Sequence, residues 1–181
     1  MLRNLLLRQD IDIALLQEVT NNEFSQLYGY ETLINEGTDK RGTAVIVKEG
    51  ISHTNIKHLP SGRWMAGLFK ATWLINIYDP FGAENRQERE KIFTHDLAYL
   101  LPTCQRDILL AGDLNCISPS DCTGSPNMSK ALSSTIQWLA LHDAWESASQ
   151  EPHYTHYTND GATRIDRICI TAHLKYRKQG N

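Results

Sequence analysis

The chain predicts a mixed α/β (α+β) fold, a sandwich of two packed, mainly antiparallel sheets flanked by helices, and three observations carry that prediction. Between Gly42 and Tyr78, short apolar segments alternate with turn residues, the pattern of an antiparallel meander. Apolar residues at helical spacing are confined to a few stretches, clearest in Asn85 to Leu101. Between them lies Asp107–Asn115, Asp-Ile-Leu-Leu-Ala-Gly-Asp-Leu-Asn, whose unbroken apolar run suits a strand buried on both faces. At 181 residues without a Pro/Gly/Ser-rich linker, a single domain over 1–181 is expected.

The elements follow in order. Leu2, Leu5, Leu6 and Leu7 repeat at helical spacing, and Ile11 to Leu16 reads as a core strand ending at Gln17-Glu18. Asn21 to Tyr28 reads as a short helix, Tyr30 to Ile34 as a strand and Asn35 to Lys40 as a polar loop. Gly42 to Lys48, Ile51 to Leu59, Trp64 to Lys70 and Thr72 to Tyr78 are the meander strands, stopped by Pro80. In the helix from Asn85 to Leu101, Ile92, Phe93, Leu97 and Leu100 share one face, and the charges from Arg86 to Glu90 read as solvated surface. A helix over Ser129 to Leu141 is closed by His142-Asp143-Ala144-Trp145, with Trp145 as a core anchor. Tyr154 to Thr158 turns at Asn159-Asp160-Gly161 into a return strand over Thr163 to Ile170, with Ile168 and Ile170 sharing a face.

Composition narrows the function. The chain is 41% hydrophobic and 22% charged, and no apolar run approaches the ~20 residues that span a bilayer, so no membrane partner is expected. A net charge of −3 and a pI near 6.1 leave nucleic-acid binding to local patches, of which Lys40-Arg41 and Lys175 to Lys178 are candidates. Four cysteines without Cys-x-x-Cys or zinc spacing point to a reduced intracellular setting, nuclear or cytoplasmic.

Polar groups then collect at strand ends: Glu18, Tyr78, Asp113 with Asn115, and Asp166. Asp113 and Asn115 project to one side if the strand continues through Leu114, and an Asp-x-Asn turn capping a strand is an equal alternative. Asp166, in register with Ile168 and Ile170, calls for a cationic or donor partner unless the strand begins at that edge. Strand ends of two packed sheets can share one rim, and these residue types suit phosphodiester hydrolysis, with carboxylates for a divalent metal and for water and neutral donors for phosphate.

Leu-Leu-Gln-Glu at 15–18, Asn-Ile-Tyr-Asp-Pro at 76–80, Leu-Ala-Gly-Asp-Leu-Asn at 110–115 and Arg-Ile-Asp-Arg-Ile at 164–168 stand in an order that resembles the endonuclease/exonuclease/phosphatase superfamily. Arg41-Gly42-Thr43-Ala44, the helix after Tyr78 and Leu141-His142-Asp143-Ala144-Trp145 make the chain most similar to the apurinic-like endonuclease domain of non-LTR (LINE-type) retrotransposons. The resemblance implies a four-layered α/β-sandwich of the deoxyribonuclease-I-like type. It implies Glu18 as ligand of Mg²⁺ or Mn²⁺, Asp113 orienting or deprotonating the attacking water, Asn115 positioning that water and a phosphate oxygen, and Tyr78 contacting the phosphate. Asp166 would orient a histidine that stabilises developing charge. The implied partners are DNA and, in a longer parent protein, a reverse transcriptase primed by the 3′-hydroxyl of the nick.

The same resemblance implies a first strand bearing an Asn and a last strand bearing Ser-Asp-His, and the chain contains neither, so truncation at both ends and impaired activity are expected. Asp79 and Phe81 also depart from the pattern, which has a small or apolar residue and a polar phosphate contact there. An inactive remnant or binding module, or a phosphatase or lipid phosphodiesterase of the superfamily, is the alternative. His173 stands outside any Ser-Asp-His context.

Overall fold

The computed structural model describes residues 2–20, 27–37, 42–100, 107–118, 120, 122–123, 127–146, 154–159, 161–172 and 174. They fall into two compact units, Met1–Tyr78 and Asp79–Asn181. The helix expected from Asn21 to Tyr28 lies mostly outside the described residues, as do His173 and the basic patches.

The first unit is a sandwich. Strands β1 (Ile13–Val19), β2 (Tyr30–Asn35) and β3 (Gly42–Lys48) form an antiparallel sheet with β3 in the centre. Strands β4 (His53–His58), β5 (Trp64–Phe69) and β6 (Thr72–Tyr78) form a three-stranded meander; Gly42–Lys48, expected as its first strand, pairs with β1 and β2 instead. Central strands must lose water on both faces, and β3 and β6 are buried along almost their whole length, with Val45, Ile46, Ile75 and Ile77 in the core. Helix α1 (Leu2–Arg8) covers the outer face of the first sheet by inserting Leu6 against Tyr30 and Ile46.

Two buried amides tie these sheets together. Asn76 Nδ2 donates to the carbonyls of Leu16 (2.9 Å) and Ala44 (3.0 Å), and its Oδ1 accepts from Gln17 Nε2 at 2.5 Å. Asn35 Nδ2 donates to Trp64 O at 3.0 Å. A buried amide must find hydrogen-bond partners, and here that requirement fixes how one sheet lies on the other.

The second unit places β7 (Asp107–Asp113) antiparallel to β11 (Asp166–Thr171), which in turn pairs with β8 (Leu141–Asp143). Its helical layer comprises α2 (Arg86–Lys91), a π-helical segment Ile92–Asp96, α3 (Leu97–Leu100) and α4 (Lys130–Trp138). Ile92, Phe93, Leu97 and Leu100 are buried as their spacing predicts. Ser129 caps α4 by accepting from Leu132 N at 3.0 Å, and Glu90 accepts from Ala131 N at 2.9 Å.

Four further expectations are corrected. Arg89 is not part of a solvated charge run: it is 2% exposed. The segment after α4 does not close that helix, because Ala140 turns the chain with φ +49° and Leu141–Asp143 becomes a strand. Trp145 is 37% exposed and anchors no core. The return strand is broken at Arg164-Ile165 into β10 (Gly161–Thr163), hairpinned to β9 (His156–Thr158), and β11, whose buried residue is Cys169 while Ile168 is exposed. β11 starts at Asp166, the edge alternative left open by the sequence, so its carboxylate stands exposed.

Candidate active site

In the first unit, Glu18 sits on a β-bulge. The β1–β3 register slips between Gln17 and Val19, and Glu18 takes φ +57°, a left-handed conformation uncommon outside glycine. The bulge turns the Glu18 side chain outward, where its carboxylate accepts from the Tyr78 hydroxyl at 2.8 Å across 60 residues of sequence. Gly42 is what lets the neighbouring strands close around that bulge. A Cβ there would stand 2.6 Å from Val19 O and 2.9 Å from Asn35 O, closer than atoms can pack.

Tyr78 is held from behind by Arg63, a residue with no place in the motifs. The Arg63 carbonyl accepts from Tyr78 N at 2.7 Å, and its buried guanidinium lies 5.2 Å from the centre of the Tyr78 ring. Gln17 and Asn76, also unassigned from sequence, flank the pair: each stands one or two residues from Glu18 or Tyr78 and locks the two strands together. Asn76 stands inside the quoted motif; Arg63 lies in a turn ahead of β5 and carries no local signal.

In the second unit, β7 ends at Asp113, and the chain turns instead of continuing extended through Leu114. Asn115 takes φ +43°, and its backbone N–H donates to Asp113 Oδ1 at 3.0 Å. The Asp-x-Asn turn is therefore real, and it is also what sets the two side chains. Asn115 Nδ2 donates to Asp79 O at 2.7 Å, while Asp113 O accepts from Asp79 N at 2.8 Å. Asp79, fully buried, thus has both peptide groups held by the polar pair. Cys116 Sγ lies 3.9 Å from Asp79 Oδ2, and burial, reinforced by that carboxylate, pushes the thiol up to about 12, so it stays protonated at neutral pH.

Asp166 stands opposite Asp113 in the β7–β11 ladder, with its backbone N–H donating to Thr155 Oγ1 at 3.2 Å. The two arginines of the Arg-Ile-Asp-Arg-Ile motif point instead to Asp143. Arg164 Nη1 meets its carboxylate at 2.7 Å and Arg167 Nη1 at 3.6 Å, and Trp145 N donates to Asp143 Oδ1 at 2.9 Å. Asp143, quoted from the sequence only as part of Leu141-His142-Asp143-Ala144-Trp145 and with no role, is the buried acceptor that fixes the segment on either side of Asp166.

The structure thus joins Glu18 to Tyr78 within one unit, and Asp113 to Asn115 with Asp166 alongside within the other. Among the described residues, no group of three or more His, Cys, Asp or Glu side chains could by itself cage a metal ion. No described helix is long and apolar enough to cross a membrane.

Solved structures share this fold. An AP endonuclease from Archaeoglobus fulgidus superposes with a TM-score of 0.79 at 19% identity, covering 98% of this chain and 82% of its own. The 3′ phosphatase NExo from Neisseria, bound to a product DNA hairpin, gives 0.75 at 18% identity over 96% and 81%. The AP endonuclease LMAP from Leishmania major gives 0.70 at 15% identity over 96% and 74%. The fold is accordingly the mixed α/β sandwich of the deoxyribonuclease-I-like type. No curated protein matches the chain. The Endonuclease/Exonuclease/phosphatase family matches across residues 1–181, and the chain belongs to that family.

Proposed function

We propose that the chain is a divalent-metal-dependent endonuclease that nicks one DNA strand, of the kind that non-LTR retrotransposons carry beside a reverse transcriptase. The observation that carries the reading is the Glu18–Tyr78 pair, a hard carboxylate raised on a strained bulge and capped by a phenolic O–H at 2.8 Å. Four motifs in family order and the likeness to AP endonucleases support DNA as substrate.

Glu18 fits Mg²⁺ or Mn²⁺ as an exposed oxygen ligand, since Mg²⁺ is commonly held by one or two carboxylates, with waters and substrate phosphate filling the rest. When bound, the ion supplies charge neutralisation at the phosphate and a more acidic water. Tyr78, whose O–H now goes to Glu18, can transfer that donor to a phosphate oxygen. Asp113 orients the attacking water and takes its proton. Asn115 gives one amide hydrogen to Asp79 O and has a second for the phosphate or the water. Water oxygen bonds to phosphorus, the P–O3′ bond breaks with its electron pair going to O3′, and O3′ takes a proton from solvent water to leave as a hydroxyl beside a 5′-phosphate.

The test is conversion of supercoiled plasmid to open circle in Mg²⁺. The expected result is nicking that falls about 10²–10³-fold in Asp113→Ala; equal activity in the two proteins would sink the assignment. A second reading, removal of 3′-terminal groups, is favoured by the likeness to the Neisseria 3′ phosphatase. Release of phosphate from a 3′-phosphorylated hairpin without plasmid nicking would select it.

A further inference from the structure

Phe81 is 75% exposed two residues after the fully buried Asp79. A single exposed aromatic is ordinary on a protein surface, but its backbone is not ordinarily bolted down. Here the carbonyls of Pro80, Phe81 and Gly82 are all held. Arg89 Nη1 donates to Pro80 O at 2.8 Å and to Gly82 O at 2.5 Å, and Asn85 Nδ2 donates to Phe81 O at 2.5 Å. Burying an arginine to hold two carbonyls of a surface loop is costly, and it gives Phe81 no core packing. Gly82 follows at φ +95°, a conformation that side-chain-bearing residues avoid, and a Cβ there would collide with the Glu84 carboxylate. The same loop begins at Asp79, whose peptide groups Asp113 and Asn115 hold. The aromatic is thus presented to solvent on a loop fixed to the turn that carries the proposed water-activating residues.

We infer that Phe81 is a stacking platform for an unpaired nucleobase next to the phosphodiester acted on, and so selects DNA in which a base is extrahelical or single-stranded. The inference rests on the nuclease reading above. A rigid flat apolar face suits any base, because every base has a π-face, and rigidity in advance lowers the ordering cost of stacking.

The experiment uses DNA carrying 2-aminopurine, either unpaired or within a full duplex, at fixed salt and with Ca²⁺ in place of Mg²⁺, read by fluorescence quenching and by anisotropy. Wild-type protein should quench the unpaired probe. Phe81→Leu should abolish the quenching and weaken binding to that DNA about tenfold, Phe81→Trp should retain both, and affinity for the full duplex should change less than about twofold. Phe81 is exposed, so the fold tolerates all of these. If Phe81→Leu binds and quenches as wild type does, the stacking role is overturned and the nuclease reading stands. If wild type binds neither DNA, both fall.

Discussion

The two candidate clusters are built by opposite means. In the first unit, Glu18 and Tyr78 meet side chain to side chain, at the surface, across 60 residues, over strands already locked by Asn76. In the second, Asp113 and Asn115 bond mainly to backbone: within their own turn and to the two peptide groups of Asp79. That contrast separates candidate residues that are also structural from those that are not. Removing the Glu18–Tyr78 contact leaves the sandwich beneath it intact, whereas removing Asn115 leaves a buried carbonyl without its donor. Loss of activity therefore means different things in the two places, and stability has to be measured beside it.

The largest effect lies behind the second cluster. Asp143 and Arg164 form a buried ion pair at 2.7 Å, and the same carboxylate lies 3.6 Å from Arg167 Nη1. Its removal takes from Arg164 an acceptor closer than Glu146, which is exposed and 3.6 Å away, and takes an acceptor from Arg167. Asp143→Ala should cost about 3–5 kcal/mol, seen as a lower urea midpoint and lost hydrogen-exchange protection in β7, β8 and β11. If Asp143→Ala unfolds at the wild-type midpoint, the segment around Asp166 is held by something other than this pair.

Asp143 also shows where the sequence stops being informative. Local pattern located the strands between Gly42 and Tyr78 to within two residues, because alternation and turn chemistry are properties of a few neighbours, but it did not show that Gly42–Lys48 pairs with β1 and β2 instead of joining the meander. The motifs at 15–18, 76–80, 110–115 and 164–168 marked Glu18, Tyr78, Asp113, Asn115 and Asp166 as candidates. What the sequence could not display is direction. Arg89 sits among charges at exposed helical spacing yet turns inward to the carbonyls of Pro80 and Gly82. Asp143 follows a helix yet belongs to a strand, because Ala140 reverses the chain with a left-handed φ that alanine seldom adopts. Arg63 is more opaque still, since its role depends on the ring of Tyr78, in another strand. These are contacts of tertiary structure, with no periodicity to announce them.

At Asn115 the structural and functional roles meet in one side chain. Asn115→Ala removes the bond to Asp79 O and leaves alanine at φ +43°, where asparagine is tolerated better. About 2 kcal/mol of stability should go, together with nicking, and urea unfolding beside the plasmid assay measures both. An Asn115→Gly protein should recover part of the stability, by relieving the backbone, and none of the activity. Recovery of both would make Asn115 a turn residue only.

Tyr78→Phe is the opposite case and the smallest in stability. It deletes one hydroxyl whose bond goes to an exposed carboxylate, while the ring keeps its place over Arg63 and the backbone bond to Arg63 O survives. An exposed hydrogen bond exchanges readily with water, so the cost should stay well under about 1 kcal/mol, within scatter of the wild-type urea midpoint. Nicking should nevertheless fall at least about tenfold, because the lost O–H is the donor assigned to the phosphate. A large stability loss with unchanged nicking would exchange the two roles: the first cluster would then be the structural one, and the phenol a strut for the Glu18 bulge instead of a ligand for substrate.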